Sequence, residues 1–412
     1  MNHEQLITDV FRAYYDARKH KRNTISQLRF EMNLEENLVE LVHEIENHTY
    51  EVGRSICFIV DRPVKREVFA ADFRDRVVHH LLYNYLSPML ERTFIHDCYS
   101  CRKGFGTLKG INRIAGFVRQ CSHNFKKDAY VLKLDISGYF MSINRKHLLS
   151  ILLDTLGKYG GKPSPVRGMK WKELLDYDML GYLLEKVVLN DPKTDCLFKG
   201  SRSNWKGLPK SKSLFYAADD CGLPIGNLTS QLFSNVYLSR LDRYVKREEH
   251  AHFYGRYVDD FVVVSSDKEK LKSMTFRIES KLNEWGLTLH PHKRYLQHAT
   301  KGFDFLGLHQ RRTVLMPGKR MNHNGLLCLN EYLGECAKGT TPHYQQLNRY
   351  LTRFNSYLGL MRHCASRKIR DKWWQCLYSR RRAYLLLNGN HTKAVFNPNE
   401  LMATMLAHCQ MN

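Results

Sequence analysis

The sequence predicts an α+β fold, and three observations carry that prediction. The 412-residue chain is 43% hydrophobic and 12% aromatic, enough for two or three packed subdomains. Runs with apolar residues at helical spacing are interleaved with short alternating, β-branched runs. Their order is helix and loop, then a β-α-β-β core, then a helical tail, a segregated arrangement rather than a strictly repeating one.

The elements follow in order. Residues 1 to 50 read as helical, with "LEENLVELVHEIENH" placing apolar residues on one helix face. "SICFIV" (55–60) reads as a strand, and "VKREVFAA" continues it. "FRDRVVHHLLYNYLSPMLERTF" reads as a helix with Val77, Leu81, Leu82 and Tyr85 on one side. "CRKGFGTLKGINRIAGFVRQ" is a basic turn leading into a helix. "AYVLKLDISGYF" (129–140) sets Leu132, Leu134 and Ile136 against Lys133 and Asp135, a half-buried strand with an acid at its end. "NRKHLLSILLDTL" follows as a helix. Residues 157–222 are rich in Gly, Pro, Lys and Ser around one helix, "KELLDYDMLGYLLEKVV". "LPIGNLTSQLFSNVYLSRLDRYVKRE" reads as a turn feeding a long helix. A hairpin, the helix "DKEKLKSMTFRIESKLNEWG", and strands at "LTLHPHKRYLQH" and "KGFDFLGLHQRRT" come next. From about 340 the pattern is helical, through "WWQCLYSRRRAYLLL".

Lysine and arginine number 64 against 41 acidic residues, a net charge of +23 spread along the chain. Such an excess implies a polyanionic partner. A membrane surface is disfavoured: no basic amphipathic helix, lipidation motif or apolar run of about 18 residues occurs. The start lacks an apolar signal core, and the 11 scattered cysteines read as reduced thiols of a cytoplasm. Cys98 and Cys101 have metal-ligand spacing, with Cys121 and His123 further on. Zinc sites usually need two tight pairs, so buried thiols are the plainer reading.

The stretch "YGRYVDDFVVVS" (254–265) sets Asp259 and Asp260 inside a β-branched, apolar run. Unpaired carboxylates there cost several kcal/mol, so a counter-charge is required. Successive strand residues point to opposite faces, so a tight turn must reorient one of the two. If Asp135 converges with the pair, three hard oxygen donors suit Mg²⁺. Two ions ~4 Å apart could activate a 3′-hydroxyl and stabilise a leaving pyrophosphate. The plainer alternative is that all three are turn acids.

Tyr257-Val258-Asp259-Asp260 after an aromatic strand resembles the catalytic hairpin of reverse transcriptases, and "LDISGYF" their first catalytic strand. "REVFAADFRDRVVHHLL" resembles the fingers segment, "HPHKRYLQ" the lysine-bearing strand after the palm, and "FDFLGL" the primer grip. The resemblance covers about 55–310, with the motifs in order. "DPKTDCLFKGSRSNWKGLPKSKSLF" followed by "CGLPIGNLTSQLFSNVYL" is similar to the reverse transcriptases of diversity-generating retroelements, within the bacterial, group II intron-like family. Most relatives carry Gln-Gly and Ser-Pro where this chain has Ile225-Gly226 and Ser230-Gln231.

The resemblance implies a right-hand polymerase with fingers, a palm of antiparallel sheet plus helices, and a helical thumb. It divides the chain into an N-terminal helical extension (1–54), fingers (55–128), palm (129–310, with an insertion at about 157–222), thumb (311–390) and tail (391–412). It assigns Asp135, Asp259 and Asp260 to two Mg²⁺ ions, with Asp260 either ligating or positioning, and adds the carbonyl of Ile136. Phe140 falls where a bulky ring excludes the ribose 2′-hydroxyl. Lys65 and Arg66 fall on the triphosphate clamp, Ile225 and Gly226 beside the incoming nucleotide, and Lys293 on the lysine that protonates pyrophosphate. Arg102, Lys103, Ser230, Gln231, Tyr257, Leu306 and Gly307 would meet template or primer. In the tail, Trp373, Trp374, Arg380, Arg381, Arg382 and Tyr384 suit a thumb, or an amphipathic helix with a solvated basic face.

The implied activity is RNA-directed DNA synthesis from dNTPs on a specific template RNA with a DNA or RNA primer. Its errors would concentrate at template adenines, in the service of targeted gene diversification (mutagenic retrohoming). A small basic accessory protein and a bacterial or phage origin come with that subgroup. A group II intron maturase or phage-defence enzyme is the nearer alternative, although no nuclease or RNase H region is visible in the sequence. A non-catalytic RNA-binding protein on a polymerase scaffold is the other.

Overall fold

A computed structural model describes residues 3–19, 24–61, 64–338, 343–379 and 384–400. The chain forms two compact units, Met1–Ile114 with Leu132–Leu296, and Ala115–Val131 with Gln297–Asn412. The fold is mixed α+β with mostly antiparallel strand pairing, as the sequence predicts.

The chain opens with helices α1 (His3–Arg18), α2 (Ile25–Met32) and α3 (Leu34–Glu46). Strands β1 (Ser55–Val60) and β2 (Arg66–Ala70) pair antiparallel. Helix α4 (Phe73–Leu90) starts at Asp72, whose carboxylate accepts the Arg74 N–H at 3.2 Å, an N-cap worth ~1 kcal/mol. It buries Val77, Val78, Leu81, Leu82 and Leu86, each such side chain stabilising by roughly 1.5–3 kcal/mol. Helix α5 (Thr107–Cys121) and strand β3 (Tyr130–Asp135) follow, then α6 (Tyr139–Ser142) and α7 (Arg145–Gly160).

The single helix expected at 172–188 is two, α8 (Trp171–Leu174) and α9 (Tyr177–Leu189). Asp176 divides them: its side chain accepts the Met179 N–H at 3.0 Å, so a new helix starts there. Strand β4 (Cys196–Phe198) pairs parallel with β1, giving a sheet of order β2-β1-β4. Short 3-10 turns carry the chain to α10 (Leu228–Arg243), which is buried on nearly every face.

Strands β5 (Phe253–Tyr257) and β6 (Asp260–Ser265) form the expected hairpin, followed by α11 (Lys268–Glu284) and β7 (Tyr295–His298). These strands lie in a four-stranded sheet of order β5-β6-β3-β7. Phe261, Val262, Val263 and Val264 are all buried, so β6 is covered on both faces. The strand expected over 287–298 is confined to its last four residues. Pro291 follows a lone pairing of Leu289 with Ile136 and cannot donate to a ladder.

In the second unit, β8 (Phe303–Phe305), β9 (Leu308–Arg311) and β10 (Val314–Pro317) form a meander. Helices α12 (Lys319–Ala337), α13 (Tyr344–Met361) and α14 (Arg367–Tyr378) follow. The helical reading of the tail fails after Tyr378. Strands β11 (Leu385–Leu387) and β12 (Ala394–Phe396) pair antiparallel instead. Trp373 and Tyr384 are buried in this unit, while Arg380, Arg381 and Arg382 lie outside the described residues. No described helix is long and apolar enough to cross a membrane.

Candidate active site

The β5–β6 turn is Val258-Asp259, closed by the pairing of Tyr257 with Asp260. Val258 has φ +56°, unfavourable for a β-branched residue and costing ~1–3 kcal/mol unless neighbours enforce it. A positive φ at the first turn residue alone is the pattern of the II′ hairpin class. This is the reorientation that the adjacent acids require.

Strand β3 is the neighbour of β6, and Asp135 sits at its end. Lys133 of β3 places Nζ 3.4 Å from Asp260 Oδ1. That contact is an ion pair rather than a formed hydrogen bond, so this buried oxygen lacks a hydrogen-bond partner. Lys293 donates to both Asp135 oxygens, at 3.0 and 2.9 Å. Its placement follows from the backbone: His290 N–H donates to the Asp135 carbonyl and Ser137 N–H to the Thr288 carbonyl, each at 2.8 Å.

Burial, then the Asp135 and Asp260 carboxylates, push the Asp259 carboxyl up to about 7. Burial likewise raises Asp260, with Asp135 adding to the rise and Lys133 opposing it. Three acids therefore repel one another where, among the described residues, two ammonium groups answer them. That excess of negative charge, with hard oxygen donors and an orphaned Asp260 oxygen, fits divalent cations of the Mg²⁺ type. Among the described residues no three His, Cys, Asp or Glu side chains already close around a single point. The lysines hold two of the carboxylates instead.

Gly138 and Phe140 follow Asp135 directly. Gly138 has φ +54°, and a Cβ there would come 2.7 Å from the Ser211 carbonyl, so only glycine fits. Phe140 is half-buried and packs on a cluster formed by Cys57, Phe69, Met141 and Leu214. Ile225 packs on the same cluster, and its carbonyl accepts the Phe69 N–H at 2.9 Å. Gly226 has φ +141°, and a Cβ would stand 2.7 Å from the Phe69 carbonyl, which fixes this turn against β2.

Other expected positions fall elsewhere. Lys65 Nζ donates to the Lys206 carbonyl at 2.8 Å and lies 3.3 Å from Asp61, while Arg66 is exposed at the start of β2. Arg102 is spent on its own loop, donating to the carbonyls of Ile95, His96 and Cys98 and stacking over Phe105 at 4.0 Å. Lys103 is exposed beside it. Ser230 is buried in α10 and Gln231 exposed, with Gln231 accepting from Cys101 Sγ at 3.4 Å. Cys98 is fully buried and directs its thiol at Asn235. Tyr257 is half-buried at the end of β5. Leu306 and Gly307, at φ +49° and +89°, form the β8–β9 turn of the second unit.

Two groups escaped the sequence reading. Glu67 is buried in β2 and accepts from Trp205 Nε1 (2.7 Å), Ser213 Oγ (2.8 Å) and the Leu214 N–H (2.6 Å). It ties the 202–214 segment to β2. Arg256 is fully buried and forks onto Asp242, itself fully buried, with contacts of 2.7 and 2.6 Å. Its signal was present, since a lone arginine inside "FYGRYV" needs a buried partner.

Residues 191–310 match the family described as reverse transcriptase (RNA-dependent DNA polymerase). That span holds Asp259, Asp260 and Lys293, while Asp135 precedes it. No curated protein matches the chain. Among solved structures, telomerase of Candida tropicalis truncated from its C-terminal domain is 14% identical, with a TM-score of 0.46, over 64% of this chain and 55% of that one. Candida albicans telomerase with a TWJ fragment of telomeric RNA is 12% identical, with a TM-score of 0.41, over 82% of this chain and 65% of that one. Apo telomerase of Candida tropicalis is 14% identical, with a TM-score of 0.45, over 74% and 52%. The chain thus spans between about half and two thirds of their length. Likeness at this level transfers no residue roles.

Proposed function

We propose that this protein is an RNA-directed DNA polymerase that extends a DNA or RNA primer with dNTPs. The observation that carries the reading is the meeting of Asp135 with the Asp259–Asp260 hairpin across neighbouring strands, inside a chain that holds a reverse transcriptase domain. Asp135, Asp259 and Asp260, with the Ile136 carbonyl, would hold two Mg²⁺ ions, which supply activation of the primer 3′-hydroxyl and offset phosphate charge. The chain's own residues do the rest. Lys293, now on Asp135, is placed to give a proton to departing pyrophosphate. Phe140 presents its ring where a ribose 2′-hydroxyl would clash. Arg66 offers an exposed fork for triphosphate oxygens, and Lys65 reaches them by leaving the Lys206 carbonyl. The fingers, palm and thumb division at 55–128, 129–310 and 311–390 is part of this reading, with Leu306-Gly307 as the primer grip.

Within that class we assign the chain to the diversity-generating retroelements, on Ile225-Gly226 and Ser230-Gln231. An apolar Ile225 cannot make the hydrogen bond that a glutamine offers near the nascent pair, which supports error-prone copying. A structured template RNA and a small basic accessory protein are the partners of this assignment. Primer extension on an RNA template with Mg²⁺ tests the main reading: wild type should elongate and Asp259→Ala should not. Equal product from both, or none from either, would favour a non-catalytic RNA-binding protein. Sequencing the cDNA for errors at template adenines, and the flanking DNA for paired repeats differing at adenines, tests the subgroup.

A further inference from the structure

We propose that Ser100, Asn235, Asp242 and Arg256 are positioning residues that set the metal-binding posture of the Asp259–Asp260 hairpin. The inference rests on the polymerase reading and adds the device that aims its carboxylates. Val258 is the residue that must be forced, because its φ of +56° is foreign to a valine. Both of its backbone polar groups are gripped from one side. Its N–H donates to Ser100 Oγ at 3.0 Å, and its carbonyl accepts from Arg256 Nη1 at 2.8 Å.

Each grip is itself fixed. Ser100 Oγ donates to Asn235 Oδ1 at 2.9 Å, and Asn235 Nδ2 returns a bond to the Ser100 carbonyl at 2.8 Å. Arg256 Nη1 also donates to Asn235 Oδ1, at 3.1 Å. The guanidinium is locked by the bidentate bond to Asp242, which also accepts from Tyr254 Oη at 2.7 Å. Backbone bonds join the two sides, Arg256 N–H to the Asp97 carbonyl and Tyr99 N–H to the Arg256 carbonyl, each at 2.9 Å. Arg256, Asp242 and Asn235 are fully buried, and Ser100 is 1% exposed. A fully satisfied buried network of this kind has few alternative arrangements, so it fixes the turn rather than merely tolerating it. The next residue after the gripped valine is Asp259. Partners one step behind metal ligands commonly set affinity and activity by 10- to 100-fold.

Ser100→Ala is the sharpest variant, because it removes one grip on Val258 without unpairing a charge. Asp242→Asn, which keeps shape but weakens the lock on Arg256, is the second. Mn²⁺ binding to the full chain is read by electron paramagnetic resonance, alongside near-ultraviolet circular dichroism and steady-state primer extension. Ser100→Ala is expected to keep the wild-type spectrum and the KM for dNTP. Its Mn²⁺ affinity should fall ~10-fold and its kcat by ~10- to 100-fold. Asp242→Asn should move both in the same direction. Wild-type Mn²⁺ affinity in both folded variants overturns the proposal, whatever happens to kcat. Both variants failing to fold would assign the network to folding alone and overturn it equally. Should the wild type extend no primer, the polymerase reading falls while the Mn²⁺ comparison still decides this one.

Discussion

Lys293 Nζ rests between the two oxygens of Asp135, 3.0 Å from one and 2.9 Å from the other. The lysine comes from the turn after Pro291 and is half exposed, whereas the Asp135 side chain is only 9% exposed. A solvent-reaching ammonium thus covers the one acid that β3 delivers to the site. A divalent ion held by Asp135 would compete with this ammonium for the same oxygens.

Under the proposed function, Lys293→Met should lower kcat for primer extension by ~10²- to 10³-fold, as loss of a positioned proton donor does. Lys293→Arg should recover part of the charge effect but little of the proton transfer, because guanidinium does not deprotonate. Rapid-quench measurement of single-nucleotide addition separates the two. Stability should change by less than about 1 kcal/mol, since water screens this exposed lysine.

The raised carboxyl of Asp259 predicts a pH effect on the metal-free protein. Its folded-state value of about 7 exceeds the ordinary 3.8, so the folded state holds the proton more tightly. The stability it contributes is full below about 4 and is lost as pH rises through 7. Asp259→Asn should raise the unfolding free energy in EDTA at pH 8 by an amount on the order of 1–2 kcal/mol, and have little effect at pH 4. Excess Mg²⁺ should shrink the pH 8 difference by stabilising the wild type. An equal shift at both pH values would show that charge repulsion is not the cause.

Glu67 accepts three hydrogen bonds from the 202–214 segment and has no cationic partner among the described residues. Glu67→Ala should cost about 2–3 kcal/mol in chemical denaturation, from three buried donors left unsatisfied. Trypsin should cut first at Lys206, Lys210 or Lys212 in the variant. A wild-type digestion pattern would mean the segment is held by other contacts.

Under the proposed function, Ile225→Gln would set a polar group beside the nascent base pair. The expected result is a several-fold drop in misincorporation opposite template adenine, read by sequencing cDNA from a defined RNA. It should carry a stability loss of about 1–3 kcal/mol, because the amide enters an apolar cluster. Unchanged errors at adenine with retained activity would remove Ile225 from the account of fidelity.

Much of this site was legible because its motifs are local. "LKLD" alternates with period two, so Lys133 and Asp135 could be set on one strand face from spacing alone; that this face is covered, with Asp135 buried, could not. The doublet at 259–260 announced a tight turn, since flanking strands on both sides leave the chain nowhere else to reverse. What stayed hidden depends on long-range partners. Arg256 and Asp242 are 14 positions apart and Ser100 lies 158 before Val258, distances at which no periodicity speaks. The split at Asp176 and the β11–β12 hairpin were missed for a different reason. Helical spacing persists through both, and only a cap or a turn chemistry overrides it.

Phe140 and Ile225 lean on one shared patch of four side chains, one of which, Phe69, belongs to β2. Under the proposed function, the wall that judges the sugar and the wall that judges the base have a common foundation. Neither can be recut without shifting the other, so engineering this polymerase for ribonucleotide acceptance would alter its copying accuracy in the same stroke.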